Sequence, residues 1–127
     1  MSRLYKEATK YTPLIDFDPD AGKLSIKGKS YPENCNEFYK DVIDWLEDYF
    51  DTPKEGTVVT FDIPYYNSST SKTLFDILDI LSDAKENGTA FTVVWQYDKD
   101  NESAEEMGEE FQEDFEELDI QLKSYNE

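Results

Sequence analysis

The chain has 127 residues, 30 acidic against 12 basic, and a formal net charge of −18 at pH 7. That charge repels nucleic-acid phosphates and anionic lipid headgroups, so neither is an expected partner. With no histidine and the single cysteine Cys35, the chain lacks Ser-His-Asp and Cys-His nucleophile activation, His-ligated metal sites and intrachain disulfides.

The length suits one domain with a real core, and aromatic residues at 15% of the chain separate it from acidic disordered tails. No second domain, internal repeat or linker is visible. The N-terminus lacks the apolar core of a signal peptide and no run is long enough to span a bilayer, so a cytoplasmic location is expected.

Residues 1–12 are polar and aperiodic, and are expected to form a loose arm or a short edge segment. Residues 13–18 read as a strand, Pro19-Asp20-Ala21-Gly22 as a turn, and residues 23–28, which alternate polar and apolar, as the second strand of a hairpin. From Asn36 the pattern is helical, with Phe38, Val42, Trp45, Leu46, Tyr49 and Phe50 on one face, and Asp51-Thr52-Pro53 ends it.

Residues 57–63 are rich in β-branched residues and read as a strand, while Leu74, Ile77, Leu78 and Leu81 mark a helix running to about Lys85. Between them stands Tyr65-Tyr66-Asn67-Ser68-Ser69-Thr70-Ser71-Lys72. Its Ser and Thr residues are suited to cap the helix, and the free N–H groups and dipole of the first turn favour negative charge, including a phosphoryl group. The bland reading of Ser68 to Ser71 is capping alone. Tyr65 and Tyr66 are placed to frame a docking patch. Lys72 is placed to pair with a phosphate or a partner's acid, or simply to keep the surface soluble.

Residues 89–97 form the clearest buried strand, and the helical crossover into it implies parallel pairing. Asp98 to Ser103 form a polar loop. Asp98, Asp100 and Glu102 alternate there, a weak acid/base or metal signal beside the ordinary reading of helix-start decoration. Ala104, Met107, Phe111 and Phe115 give a third apolar stripe on a very acidic helix, whose spacing does not fit a calcium loop. That acidic face is expected to be solvated or to dock a basic partner. Gly108 beside the stripe implies close packing, Trp45 and Trp95 are expected in the core, and residues 119–125 alternate as a last, edge strand.

The summed order is β-β-α-β-α-β-α-β, an α/β domain with a mixed sheet and helices packed on it.

Three stretches together carry a more specific signal: Ser30-Tyr31-Pro32-Glu33-Asn34 with the helix through Trp45; Tyr66-Asn67-Ser68-Ser69 with Lys72 and Asp76; and Val94-Trp95-Gln96-Tyr97-Asp98 with Asn101-Glu102 and Gly108-Glu109-Glu110-Phe111. The combination, over roughly residues 9 to 125, resembles the SiaC family of bacterial regulatory phosphoproteins, whose fold is STAS-like and similar to anti-sigma-factor antagonists. The resemblance implies a non-enzymatic, cofactor-free partner-switching module. A serine/threonine kinase phosphorylates such a protein, a PP2C-type phosphatase reverses this, and the unmodified form binds an effector, in the best-known branch a diguanylate cyclase.

The family's phosphoacceptor follows the asparagine at the helix start, and that position here is Ser68 rather than the more usual threonine, with Ser69 and Thr70 as alternative acceptors. The implied partner-binding surface comprises Tyr65, Tyr66, Asn67, Ser69 and Lys72. Two other classes compete: a constitutive acidic interaction module or nucleic-acid mimic, carried by the acidic third helix, and a small carboxylate enzyme built on Asp62, Asp98 or Asp100.

Overall fold

The structure, a computed structural model, describes residues 1–126. Six strands and three helices follow one another as β1 (Leu4–Lys6), β2 (Leu14–Asp18), β3 (Lys23–Lys27), α1 (Cys35–Tyr49), β4 (Thr57–Asp62), α2 (Ser68–Glu86), β5 (Phe91–Asp98), α3 (Glu102–Asp114) and β6 (Gln121–Tyr125), with a single 3-10 turn at Glu116–Leu118. The strands lie side by side in chain order, β1-β2-β3 antiparallel and β3-β4-β5-β6 parallel. This is the expected order with one short strand added at its start.

The parallel crossovers all step the same way across the sheet. Right-handed crossovers of that kind place every helix on one face, and the burial pattern agrees. Ile15, Phe17, Leu24, Ile26, Val59 and Phe61 are buried under the helices, whereas Asp16, Ser25, Thr60 and Asp62 alternate with them on the half-exposed open face. Phe75 of α2, Phe111 of α3 and Trp95 of β5 meet in edge-to-face contacts at 5.1 and 5.3 Å that join all three elements.

Residues 1–12, expected as an arm or edge segment, contain β1, which pairs Leu4 to Lys6 with Phe17 to Ile15. The arm is tied to α1 as well: the Trp45 indole donates to the Ser2 carbonyl at 2.8 Å, and the Lys6 ammonium donates to the Phe38 carbonyl at 3.0 Å and pairs with Asp41.

Two stripes differ from their sequence reading. In α1, Tyr39 is fully buried while Phe38 lies half-buried at the rim, because Cys35, Tyr39, Val42 and Leu46 form the inward row. In α3 the inward row is Ala104, Gly108 and Phe111, with Met107 half-buried beside it. Gly108 sits where it does because a Cβ there would lie 2.6 Å from both Trp95 Cδ1 and Leu122 Cδ2. The last strand begins at Gln121 rather than Asp119, whose left-handed backbone (φ 50°) turns the chain out of the 3-10 segment.

Candidate functional site: the junction between β4 and α2

Pro64 follows β4 by two residues, and its lack of an N–H helps end the ladder there. The chain stays close to its neighbour all the same. Ser30 N–H donates to the Tyr65 carbonyl at 2.8 Å, Asn67 N–H donates to the Ser30 carbonyl at 3.1 Å, and Ser30 and Tyr66 form an isolated parallel bridge.

The helix cap is Asn67, not one of the hydroxyl residues expected to serve. Its extended backbone (φ −97°, ψ 175°) lets the side-chain oxygen accept from Thr70 N–H at 2.8 Å. The four hydroxyls thereby fall inside the first turn, where helical geometry sorts them by direction. Ser68 and Ser69 are exposed, Ser71 is half-exposed, and Thr70 is fully buried.

Thr70 is committed to a buried hydroxyl chain. Its hydroxyl donates to the Ser30 carbonyl at 2.9 Å; Ser30 Oγ lies 2.9 Å from Thr70 Oγ1 and 2.7 Å from the Tyr39 hydroxyl. One arrangement satisfies every group: Tyr39 donates to Ser30 Oγ, which donates to Thr70 Oγ1, which donates to the Ser30 carbonyl. Burial pushes the Tyr39 phenol well above its ordinary range, so it remains a neutral donor. Cys35 Sγ lies 3.3 Å from Thr73 Oγ1 on the adjoining side. The free thiol is thus buried packing rather than an exposed nucleophile.

Two clefts flank the turn. On one side Lys29, Tyr31, Tyr65, Tyr66 and Asn67 line an open cleft of about 390 Å³. On the other, Ser69, Lys72 and Asp76 face Glu33, Asn34 and Asn36 across a depression of about 340 Å³. Of the residues singled out at this junction, the first cleft therefore gathers Tyr65, Tyr66 and Asn67, and the second gathers Ser69 and Lys72. Tyr65 stands out at 61% exposure, whereas Tyr66 is half-buried and its phenol is pushed up by burial and then by the nearby Glu110 and Glu106.

Of the carboxylates proposed for acid/base or metal work, Asp98, Asp100 and Glu102 line one open depression of about 600 Å³, and those of Asp98 and Asp62 are engaged in hydrogen bonds. Asp98 Oδ1 accepts from Asp100 N–H at 2.9 Å, Asn101 caps α3 and its amide donates to the Pro64 carbonyl at 2.9 Å, so the loop is braced against the junction. Asp62 accepts from the Tyr125 hydroxyl at 2.9 Å on the open sheet face. Among the described residues no three Asp, Glu or Cys side chains are grouped to hold a metal ion, and no helix is long and apolar enough to cross a membrane.

The partners of this junction that sequence reasoning missed are Ser30 and Tyr39. Ser30 opens the Ser-Tyr-Pro-Glu-Asn stretch and Tyr39 follows it, but no one-dimensional signal joins them to Thr70, 40 residues on from Ser30.

The chain has clear relatives among known proteins. The family model described as SiaC family regulatory phosphoprotein matches residues 6–125. The chain belongs to that family. An uncharacterised protein of Pseudomonas aeruginosa strain UCBPP-PA14 is 40% identical over 114 residues, 90% of each chain. The crystal structure of apo-SiaC from Pseudomonas aeruginosa superposes with a TM-score of 0.90 at 36% identity, covering 98% of this chain and 100% of that one. The SiaC in a crystal structure of the diguanylate cyclase SiaD with its activator SiaC, also from Pseudomonas aeruginosa, gives a TM-score of 0.89 at 36% identity, covering 96% of this chain and 99% of that one. The SiaC-family α/β fold, with its helices on one face of a mixed sheet, extends over the chain described here.

Proposed function

We propose that this SiaC-family chain is a partner-switching regulator whose Ser68 hydroxyl is reversibly phosphorylated, and whose unmodified form binds and activates a diguanylate cyclase. A serine/threonine kinase installs the phosphate and a PP2C-type phosphatase removes it. The chain itself performs no catalysis in this scheme.

The observation that carries the reading is the sorting of hydroxyls in the first turn of α2. Ser68 follows the cap, is exposed and makes no side-chain hydrogen bond among the described residues, while Thr70 is buried with its hydroxyl spent on Ser30. Modifying Thr70 would require breaking the hydroxyl chain. Ser69 is exposed too and lines the Lys72 depression, whereas Ser68 lines neither cleft and directly follows Asn67 of the tyrosine cleft. The complex formed by the similar Pseudomonas SiaC supports a cyclase as effector, and the family's description as regulatory phosphoproteins supports reversible phosphorylation.

The physics of the switch is local. A phosphoryl group brings about −1.5 to −2 charges and a shell of water to a surface that must be desolvated to seat a partner. The positive end of α2 keeps the modified free protein stable. No refolding is required.

The test is affinity capture in parallel with wild-type, Ser68→Ala and Ser68→Asp forms, with mass spectrometry of the wild type after incubation with the kinase. The expected result is a cyclase retained by the first two and lost by the third, and phosphate on Ser68. Phosphate confined to residues other than Ser68 would sink the assignment.

A further inference from the structure

The cleft lined by Asn67, the residue before Ser68, has a lining charge opposite in sign to the net charge of the molecule. Lys29 is the one charged side chain among those that line it, in a chain whose acids outnumber its bases 30 to 12. Lys29 has no ion pair or side-chain hydrogen bond among the described residues. Glu106 and Glu110 act on Tyr66 but do not line the cleft.

Apart from Asn67 the rest of the lining is aromatic, and the rings are held in place. Tyr31 packs edge-to-face on Tyr65 at 5.5 Å and on Tyr11 at 5.3 Å, making a ladder of three rings from three different connections of the fold. Tyr31 N–H donates to the Tyr11 carbonyl and Ser30 N–H to the Tyr65 carbonyl, both at 2.8 Å. Tyr11 and Tyr65 are nevertheless 51% and 61% exposed, and Lys10 stands 5.8 Å from the Tyr11 ring centre. Rigid, exposed tyrosines are the residues that protein interfaces favour, since they offer area at little entropic cost.

We propose that this cleft is the part of the effector-binding surface that selects the partner, and that it receives an acidic side chain on Lys29 between Tyr31 and Tyr65, with Tyr11 extending the contact. The proposal rests on the switch reading of Ser68. A Lys–carboxylate pair framed by aromatic rings is less screened than one on an open surface and so contributes more. The charge sign also accounts for the direction of the switch. Phosphate on Ser68, which follows the cleft-lining Asn67, adds negative charge at the cleft's edge and so repels a carboxylate guest. A basic guest would be attracted by the same phosphate. An acidic protein can in this way release a partner by becoming more acidic.

The probe is SiaD of Pseudomonas aeruginosa, the cyclase found with the similar SiaC. A chain carrying Tyr11→p-benzoylphenylalanine is irradiated with SiaD, and the linked peptide is identified by mass spectrometry. The expected product is a SiaD segment bearing Asp or Glu, and it disappears when Lys29→Glu is added. In a binding titration Lys29→Glu weakens the complex on the order of tenfold or more, while Lys29→Arg stays within about twofold. Thermal unfolding of the exposed-site variants confirms that each is folded. A Lys29→Glu form that binds like wild type, a linked segment without a carboxylate, a link to a second copy of the chain, or no link to SiaD at all would each overturn the proposal. The Ser68→Asp form in the same titration separates the two claims. If it binds normally while Lys29→Glu does not, the switch reading falls and the docking surface stands; the reverse pattern overturns the docking surface alone.

Discussion

Thr70 donates its hydroxyl to the Ser30 carbonyl at 2.9 Å, tying the first turn of α2 to the segment that leaves β3. Through that bond the buried side of the turn is fixed and the exposed side is presented. Thr70→Val keeps the volume but leaves the Ser30 hydroxyl without its acceptor and the Ser30 carbonyl with only Asn67 N–H as donor, and should cost about 1–3 kcal/mol. Ser68→Ala, two residues away and exposed, should change stability by less than about 0.5 kcal/mol. Urea unfolding of both variants checks the contrast.

Asn67 holds the same turn from its end, accepting from Thr70 N–H at 2.8 Å. Asn67→Ala is expected to cost roughly 1 kcal/mol, and Asn67→Asp to retain the cap. Thermal unfolding of the pair reads out whether the cap oxygen, rather than the Ser and Thr hydroxyls, starts the helix.

Gly108 is a packing position. Alanine would gain about 1 kcal/mol in helix propensity, yet its Cβ would meet Trp95 Cδ1 and Leu122 Cδ2 at 2.6 Å. Trp95 is 2% exposed and its indole donates to the Ala104 carbonyl, so it has little room to yield. Overpacking of this kind costs about 1–3 kcal/mol, and Gly108→Ala should lower the midpoint of thermal unfolding despite the better helix former.

Asp62 sets a pH dependence. Burial raises its carboxyl above the usual range, opposed by the Tyr125 hydroxyl and then by Lys27. The folded carboxyl therefore binds its proton more tightly than the unfolded one. Stability from this group is present below the ordinary Asp value of about 3.9 and is lost as pH rises through the raised folded value. Relative to Asp62→Asn, the wild type should lose stability over that window. Tyr125→Phe should move the Asp62 titration further up, as followed by carboxyl-carbon NMR.

The strands and helices were legible because their periods are clean: β4 and β5 are β-branched runs, and α2 carries apolar residues three and four apart. The Gly108 packing could be read from a glycine set beside an apolar stripe in a helix. Two kinds of information were not local. The choice of Tyr39 over Phe38 as the inward residue depends on a hydroxyl partner, Ser30, from another segment. The choice of Asn67 as the cap depends on one residue of helix register, which composition alone does not set and which decides that Thr70 is buried and Ser68 is not. The tyrosine ladder likewise needs three connections brought together, since Tyr11, Tyr31 and Tyr65 lie far apart in the chain.

The central claim, that the charge state of Ser68 gates effector binding, is tested most directly by calorimetric titration of Pseudomonas aeruginosa SiaD with two forms of the chain. One carries serine at position 68 and the other carries phosphoserine installed there during translation. The expected result is binding by the unmodified form and an affinity at least about tenfold weaker for the phosphorylated one. Equal affinity of the two forms would contradict it.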